Sequence, residues 1–136
     1  MHQFQLKHGE LHAEDVPLAK LADTYGTPLY VYSAGTIADH FDRLTAALAP
    51  LDHLICFALK ANSNLAVLKL LAKRGCGFDL VSGGELTRVL KAGGQAPKCT
   101  FAGVGKTRDE IEQALAANIY VFNVESIGGD KVLYRE

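Results

Sequence analysis

Apolar positions along this chain switch between a period of about two, typical of strands, and one of about 3.6, typical of helices; the switching predicts the architecture. Residues 3–12 read as two short extended pieces around His8-Gly9, a hairpin-like start. Pro17 opens a helix carrying Leu18, Leu21 and Ala22, which Gly26 stops. Pro28 begins the apolar run Leu29-Tyr30-Val31-Tyr32. Ser33 then caps a long helix with Ile37, Phe41, Leu44 and Leu48 on one stripe, ended by Pro50.

From there a regular alternation sets in. Strand-like runs begin near Leu54, Gly77, Lys98 and Ile119, at steps of 23, 21 and 21 residues. Helical stretches fill the gaps at Asn64 to Arg74, Gly84 to Ala92 and Thr107 to Ala117. Leu65, Leu68 and Leu71 stripe the first, Leu86, Val89 and Leu90 the second, and Ile111, Ala114 and Leu115 the third. Gly75, Gly93 and Asn118 suit the C-terminal stops. Strand-helix alternation at this pitch predicts βα units on a parallel sheet. A complete (β/α)8 barrel takes about 250 residues. The chain has 136, enough for three full units and a fourth strand. The expected class is therefore α/β, a partial (β/α)8 TIM barrel, about half present, preceded by a short β/α segment. Four parallel strands alone have two open edges and an inner face without its opposite wall, so a fragment of a longer protein is expected.

Composition narrows the functions. Hydrophobic residues make up 49% and charged ones 21%, as in an ordered globular domain. The net charge of −1 and the lack of a basic block argue against nucleic-acid and membrane-surface partners. No apolar run reaches spanning length, and the N-terminus has no signal-like pattern, so a cytoplasmic protein is the default. Cys56, Cys76 and Cys99 show no C-x-x-C spacing, which predicts buried reduced thiols rather than disulfides or zinc ligands. His8 and His12 are four apart, but Gly9 between them argues against a helix presenting both. No metal site is expected.

The candidate chemistry centres on Phe57-Ala58-Leu59-Lys60-Ala61-Asn62-Ser63-Asn64. Strand alternation sets Leu54, Cys56, Ala58 and Lys60 on one face and Ile55, Phe57 and Leu59 on the other. A long cation is thus expected at the strand tip, beyond a face cleared of bulk, with Asn-Ser-Asn starting the next helix. One unit later Asp79 interrupts the apolar strand Gly77-Phe78-Asp79-Leu80. The same alternation turns it towards Lys60; the alternative is a strand-end aspartate solvated in a loop. Ser82-Gly-Gly-Glu85 matches a capping box, a role that would account for Glu85 by itself. Thr107-Arg-Asp-Glu110 repeats that signature and is read as structural. Gly105-Lys106-Thr107 resembles the end of a P-loop, but the first glycine of that motif would fall on Thr100, so a glycine-rich turn at the sheet's C-terminal edge is the better reading.

Taken together, F-A-L-K-A-N-S-N at 57–64, F-D-L-V-S-G-G-E-L at 78–86, F-A-G-V-G-K-T at 101–107 and F-N-V-E-S at 122–126 resemble the diaminopimelate decarboxylase family. T-P-L-Y-V-Y-S at 27–33 resembles that family's start. The resemblance implies an alanine racemase-like N-terminal barrel that binds pyridoxal 5'-phosphate. It divides the chain into an N-terminal β/α segment at 1–33, a partial cofactor-binding barrel at 34–126 and an unassigned tail at 127–136. It implies that Lys60 condenses with the cofactor aldehyde, that Asp79 and Glu85 lie by the cofactor, and that the reaction is decarboxylation of meso-diaminopimelate to lysine. The family's phosphate-binding glycine loop, ring-stacking histidine, acidic partner of the pyridinium nitrogen and C-terminal β-domain all lie further along. The isolated chain is accordingly expected to be inactive, and a homodimer is expected only for the full-length enzyme. Alternative readings are an ornithine or arginine decarboxylase, an amino-acid racemase, or a non-catalytic α/β domain in which Lys60 is an ordinary surface lysine.

Overall fold

The computed structural model describes residues 2–125. Ser126 and the expected tail at 127–136 lie outside the described residues. The chain divides into two compact units, Met1–Ala47 and Leu48–Glu136.

In the first unit β1 (Phe4–Lys7) pairs antiparallel with β2 (Glu10–Ala13), Lys7 standing opposite Glu10. The hairpin closes on His8 and Gly9, both with positive φ, 53° and 82°. That is the two-residue turn whose twist matches the strands, and glycine adopts its second position without strain. β3 (Val16–Pro17) extends the sheet beside β2. Pro17 precedes rather than begins α1 (Leu18–Tyr25), which Gly26 ends at φ 80°. The run Leu29–Tyr32 joins no strand, and Tyr30 is exposed. Ser33 caps α2 (Ala34–Leu48) as expected, its hydroxyl oxygen accepting the Thr36 N–H at 2.9 Å. A second cap arrives from a distance. Glu14 Oε1 accepts the Ser33 hydroxyl and the Gly35 N–H, both at 2.7 Å, and these bonds, the Gly35 N–H most of all, hold its carboxyl below the usual range.

The second unit is a four-stranded parallel sheet in chain order: β4 (Cys56–Ala58), β5 (Gly77–Leu80), β6 (Cys99–Phe101) and β7 (Val121–Phe122). The connecting helices are α3 (Leu65–Ala72), α4 (Gly83–Lys91) and α5 (Arg108–Ala116). Chain order with parallel pairing is the topology of a barrel wall built from successive βα units. Register aligns Ala58, Asp79, Thr100 and Val121 in one row across all four strands. Aligned residues of neighbouring strands share a face, so this row lies opposite Phe78, Leu80, Cys99 and Phe101.

The two faces differ sharply in burial. Phe78, Leu80, Cys99 and Phe101 are fully buried, as are Leu68, Leu86, Val89 and Ala114 from the helices; this layer is the core. On the open face Asp79 and Thr100 are only half-buried, and Val121 is exposed. Two glycines let the core close. A Cβ on Gly77 would stand 2.5 Å from the Lys98 carbonyl oxygen and 2.8 Å from Cys56 Sγ, and one on Gly94 would collide with Val89 and Phe78. Cys76 and Cys99 are buried thiols, pushed up to about 11 by desolvation; Cys56 is half-buried and also raised. All three are free, protonated and unreactive at neutral pH. Among the described residues no helix is long and apolar enough to cross a membrane.

Candidate active site at the carboxyl edge of the sheet

Strand β4 ends at Ala58, two residues earlier than the sequence pattern predicts. Leu59–Ala61 form a single 3-10 turn, and Asn62 returns to extended backbone at φ −165°. The expected placement of Lys60 as the last residue of the strand is therefore corrected. Leu59, 1% exposed, anchors the turn in the core, while Lys60 is carried outward beyond the strand tip. Period-two alternation holds only for extended backbone, and the turn ends it. The Asn-Ser-Asn cluster then sets the start of α3. Asn62 Oδ1 accepts the Asn64 N–H at 2.9 Å, and Asn64 Oδ1 caps the helix by accepting the Ala66 N–H at 2.8 Å.

Lys60 opens on a cavity of about 630 Å³ lined also by Asn62, Ser63, Ser82, Glu85 and Arg88. Among the described residues its amine makes no hydrogen bond or ion pair. Arg88 Nη1 donates to the Ser63 carbonyl at 3.2 Å, tying α4 to the segment after the lysine. Sequence reading did not find Arg88, which falls on the polar stripe of a helix and carries no motif.

Asp79 lies on the open face of β5, as alternation predicts, but it forms no ion pair with Lys60. Its Oδ1 instead accepts the Thr100 hydroxyl at 2.8 Å. Glu85 lines the cavity with Lys60 and also serves the helix. Its N–H donates to Ser82 Oγ at 3.2 Å, as the capping reading predicts. Its Oε2 accepts the Val81 N–H at 2.7 Å, one residue before the N-cap, so the box is displaced by one position.

The repeat of that signature at Thr107 is a complete capping box. Glu110 Oε2 takes the Thr107 N–H at 3.0 Å, while Oε1 takes the Gly83 N–H at 2.9 Å, joining the starts of α4 and α5. These donors hold the Glu110 carboxyl below the usual range, the Thr107 N–H most of all. The neighbouring Lys106 is fully engaged. Its Nζ donates to Gly103 O at 2.7 Å, Asn123 O at 2.6 Å and Glu125 Oε2 at 2.9 Å, and it sits 5.9 Å from the centre of the Phe101 ring. An ammonium has three protons to donate, and all three are used. Lys106 is a clasp between the turns after β6 and β7, not a phosphate ligand.

An amine that is unpartnered among the described residues stands at the carboxyl edge of a parallel βα sheet, with carboxylates on the adjoining strand and helix, the kind of place where such folds hold ligands. Residues 34–129 match the family described as pyridoxal-dependent decarboxylase, pyridoxal binding domain, and the chain belongs to that family. It is 54% identical over 127 residues to diaminopimelate decarboxylase of Haemophilus influenzae, a match covering 93% of this chain and 31% of that protein. It is 57% identical over 118 residues to the Vibrio cholerae diaminopimelate decarboxylase, covering 87% and 28%. The crystal structure of diaminopimelate decarboxylase from M. jannaschii in co-complex with L-lysine superposes with a TM-score of 0.92 at 36% identity, over 96% of this chain and 32% of that one. The chain thus spans about a third of the length of these relatives, on an alanine racemase-like barrel. Pyridoxal phosphate is the family's cofactor. The residues here suit it: an amine with no partner among the described residues, and the half-buried carboxylate of Glu85 lining the same cavity.

Proposed function

We propose that this chain supplies the lysine end of a pyridoxal-phosphate site, and that a protein of the relatives' length decarboxylates meso-2,6-diaminopimelate to L-lysine. The observation that carries the reading is Lys60: an amine without a partner among the described residues, opening on the cavity at the end of β4. The substrate assignment is supported by the diaminopimelate decarboxylases similar to most of this chain, one of them solved with L-lysine bound. When bound, the cofactor supplies an aldehyde for amines and a ring that takes up the electron pair left by departing CO2. Lys60 is the residue that would hold that aldehyde, and its Nζ could return a proton. Asp79 places negative charge on the open face of the sheet, on the strand next to the one that leads to Lys60. Glu85 lines the wall, its Oε2 committed to the Val81 N–H. Three free thiols support a reducing, cytoplasmic setting, and a homodimer is proposed for the full-length enzyme.

The test is incubation with pyridoxal phosphate, borohydride reduction and peptide mapping, with circular dichroism to check folding. Label concentrated on Lys60 is expected. A folded chain labelled only on other lysines, or not at all, refutes the assignment. In a protein of the relatives' length, CO2 release from ornithine or arginine in preference to diaminopimelate would overturn the substrate.

A further inference from the structure

The open face of the sheet carries one hydrogen bond between side chains of neighbouring strands, Thr100 Oγ1 to Asp79 Oδ1 at 2.8 Å. The two residues stand opposite each other in the register of β5 and β6, so the contact is built into the strand pairing. A carboxylate only accepts, so the hydroxyl is the donor. Among the described residues Asp79 makes no other hydrogen bond. One oxygen is therefore engaged, and the other has no hydrogen-bond partner among the described residues. Strand packing does not require this. Valine has the same β-branched shape and suits a sheet as well as threonine. The hydroxyl adds only the bond.

We propose that Thr100 is a positioning residue: by holding Asp79 Oδ1 it aims the other carboxylate oxygen at the cofactor carried by Lys60. The inference rests on the reading of Lys60 and Asp79 as cofactor-site residues given above. It predicts that the hydroxyl, not the shape, of residue 100 matters.

The full chain and its Thr100→Val, Thr100→Ser and Asp79→Asn variants are titrated with pyridoxal phosphate. Borohydride then traps the cofactor, and label on the Lys60 peptide is quantified beside thermal melts. Thr100→Val is expected to raise the concentration for half-labelling by about threefold to tenfold, the scale of one hydrogen bond to a charged group acting indirectly. Asp79→Asn shifts it in the same direction and at least as far, and Thr100→Ser restores it. Thr100→Ala against Thr100→Ser repeats the comparison with small side chains should the valine variant lose its cooperative melt. Wild-type label on Lys60 with Thr100→Val unchanged, or with Thr100→Ser as weak as Thr100→Val, overturns the role of Thr100 and leaves the cofactor site standing. Wild-type protein without label on Lys60 overturns both.

Discussion

Two turns at the carboxyl edge of the same sheet each carry a lysine, and they treat it in opposite ways. After β6, Lys106 has a side chain only 9% exposed and gives its three protons to two backbone carbonyls and Glu125. After β4, Lys60 is exposed on the cavity with no acceptor among the described residues. The difference lies in the backbone. The glycine-rich turn at 103–105 folds the Gly103 carbonyl back onto Lys106, with Gly103 at φ 101°, and Asn123 supplies the second carbonyl. The 3-10 turn at Leu59–Ala61 instead buries Leu59 and leaves its neighbour facing outward. A lysine whose protons are all taken stabilises the fold and is unavailable for covalent chemistry. One without acceptors contributes little stability and keeps its amine for a ligand.

The contrast is broken most severely by exchanging chemistry at Lys60. Lys60→Ala should abolish cofactor trapping at that peptide, yet leave unfolding free energy within about 0.5 kcal/mol of wild type, as for a surface substitution. Urea melts and peptide mapping read the two effects, and a large stability loss would show that Lys60 belongs to the scaffold.

Lys106→Met should do the reverse. The stem over Phe101 survives, but Glu125 and two carbonyls lose a mostly buried donor, for a cost on the order of 2 kcal/mol. Label on Lys60 should persist. Loss of label with unchanged stability would reverse the assignments of the two lysines.

Smaller effects sharpen the picture at the helix starts. Glu110→Gln should destabilise by about 1 kcal/mol at neutral pH, the usual scale of a cap. Because hydrogen bonds lower the Glu110 carboxyl in the fold, its contribution is complete above the ordinary carboxylate pKa and fades as pH falls through the lowered value. The variant should therefore lose part of the wild-type acid sensitivity, measured as unfolding midpoint against pH; identical acid limbs would exclude Glu110 as a source. Smallest of all, Arg108→Ala removes an exposed i,i+4 pair with Glu112 at 2.7 Å and should leave the urea midpoint close to wild type, any difference shrinking with salt.

Much of this was legible from residue order. The steps of 21 to 23 residues placed every strand of the parallel sheet to within two residues, and the three connecting helices end within three residues of where their stripes and stops predict. The Ser82, Asn64 and Thr107 starts were readable because capping depends on residues two or three apart. The same 21-residue step separates Asp79 from Thr100, so their adjacency on neighbouring strands was readable, though not the bond between them.

Local pattern settled which segments are strands and helices, which faces are apolar, and that Lys60 and Asp79 come from successive strand ends, because propensity, periodicity and capping act over a few residues. Tertiary structure alone decided that Lys60 leaves the strand on a 3-10 turn, that Asp79 takes Thr100 rather than the lysine, and that Lys106 is consumed by Glu125. Those outcomes depend on which donors and acceptors from distant segments meet within about 3 Å, a length over which hydrogen bonding discriminates and sequence spacing does not.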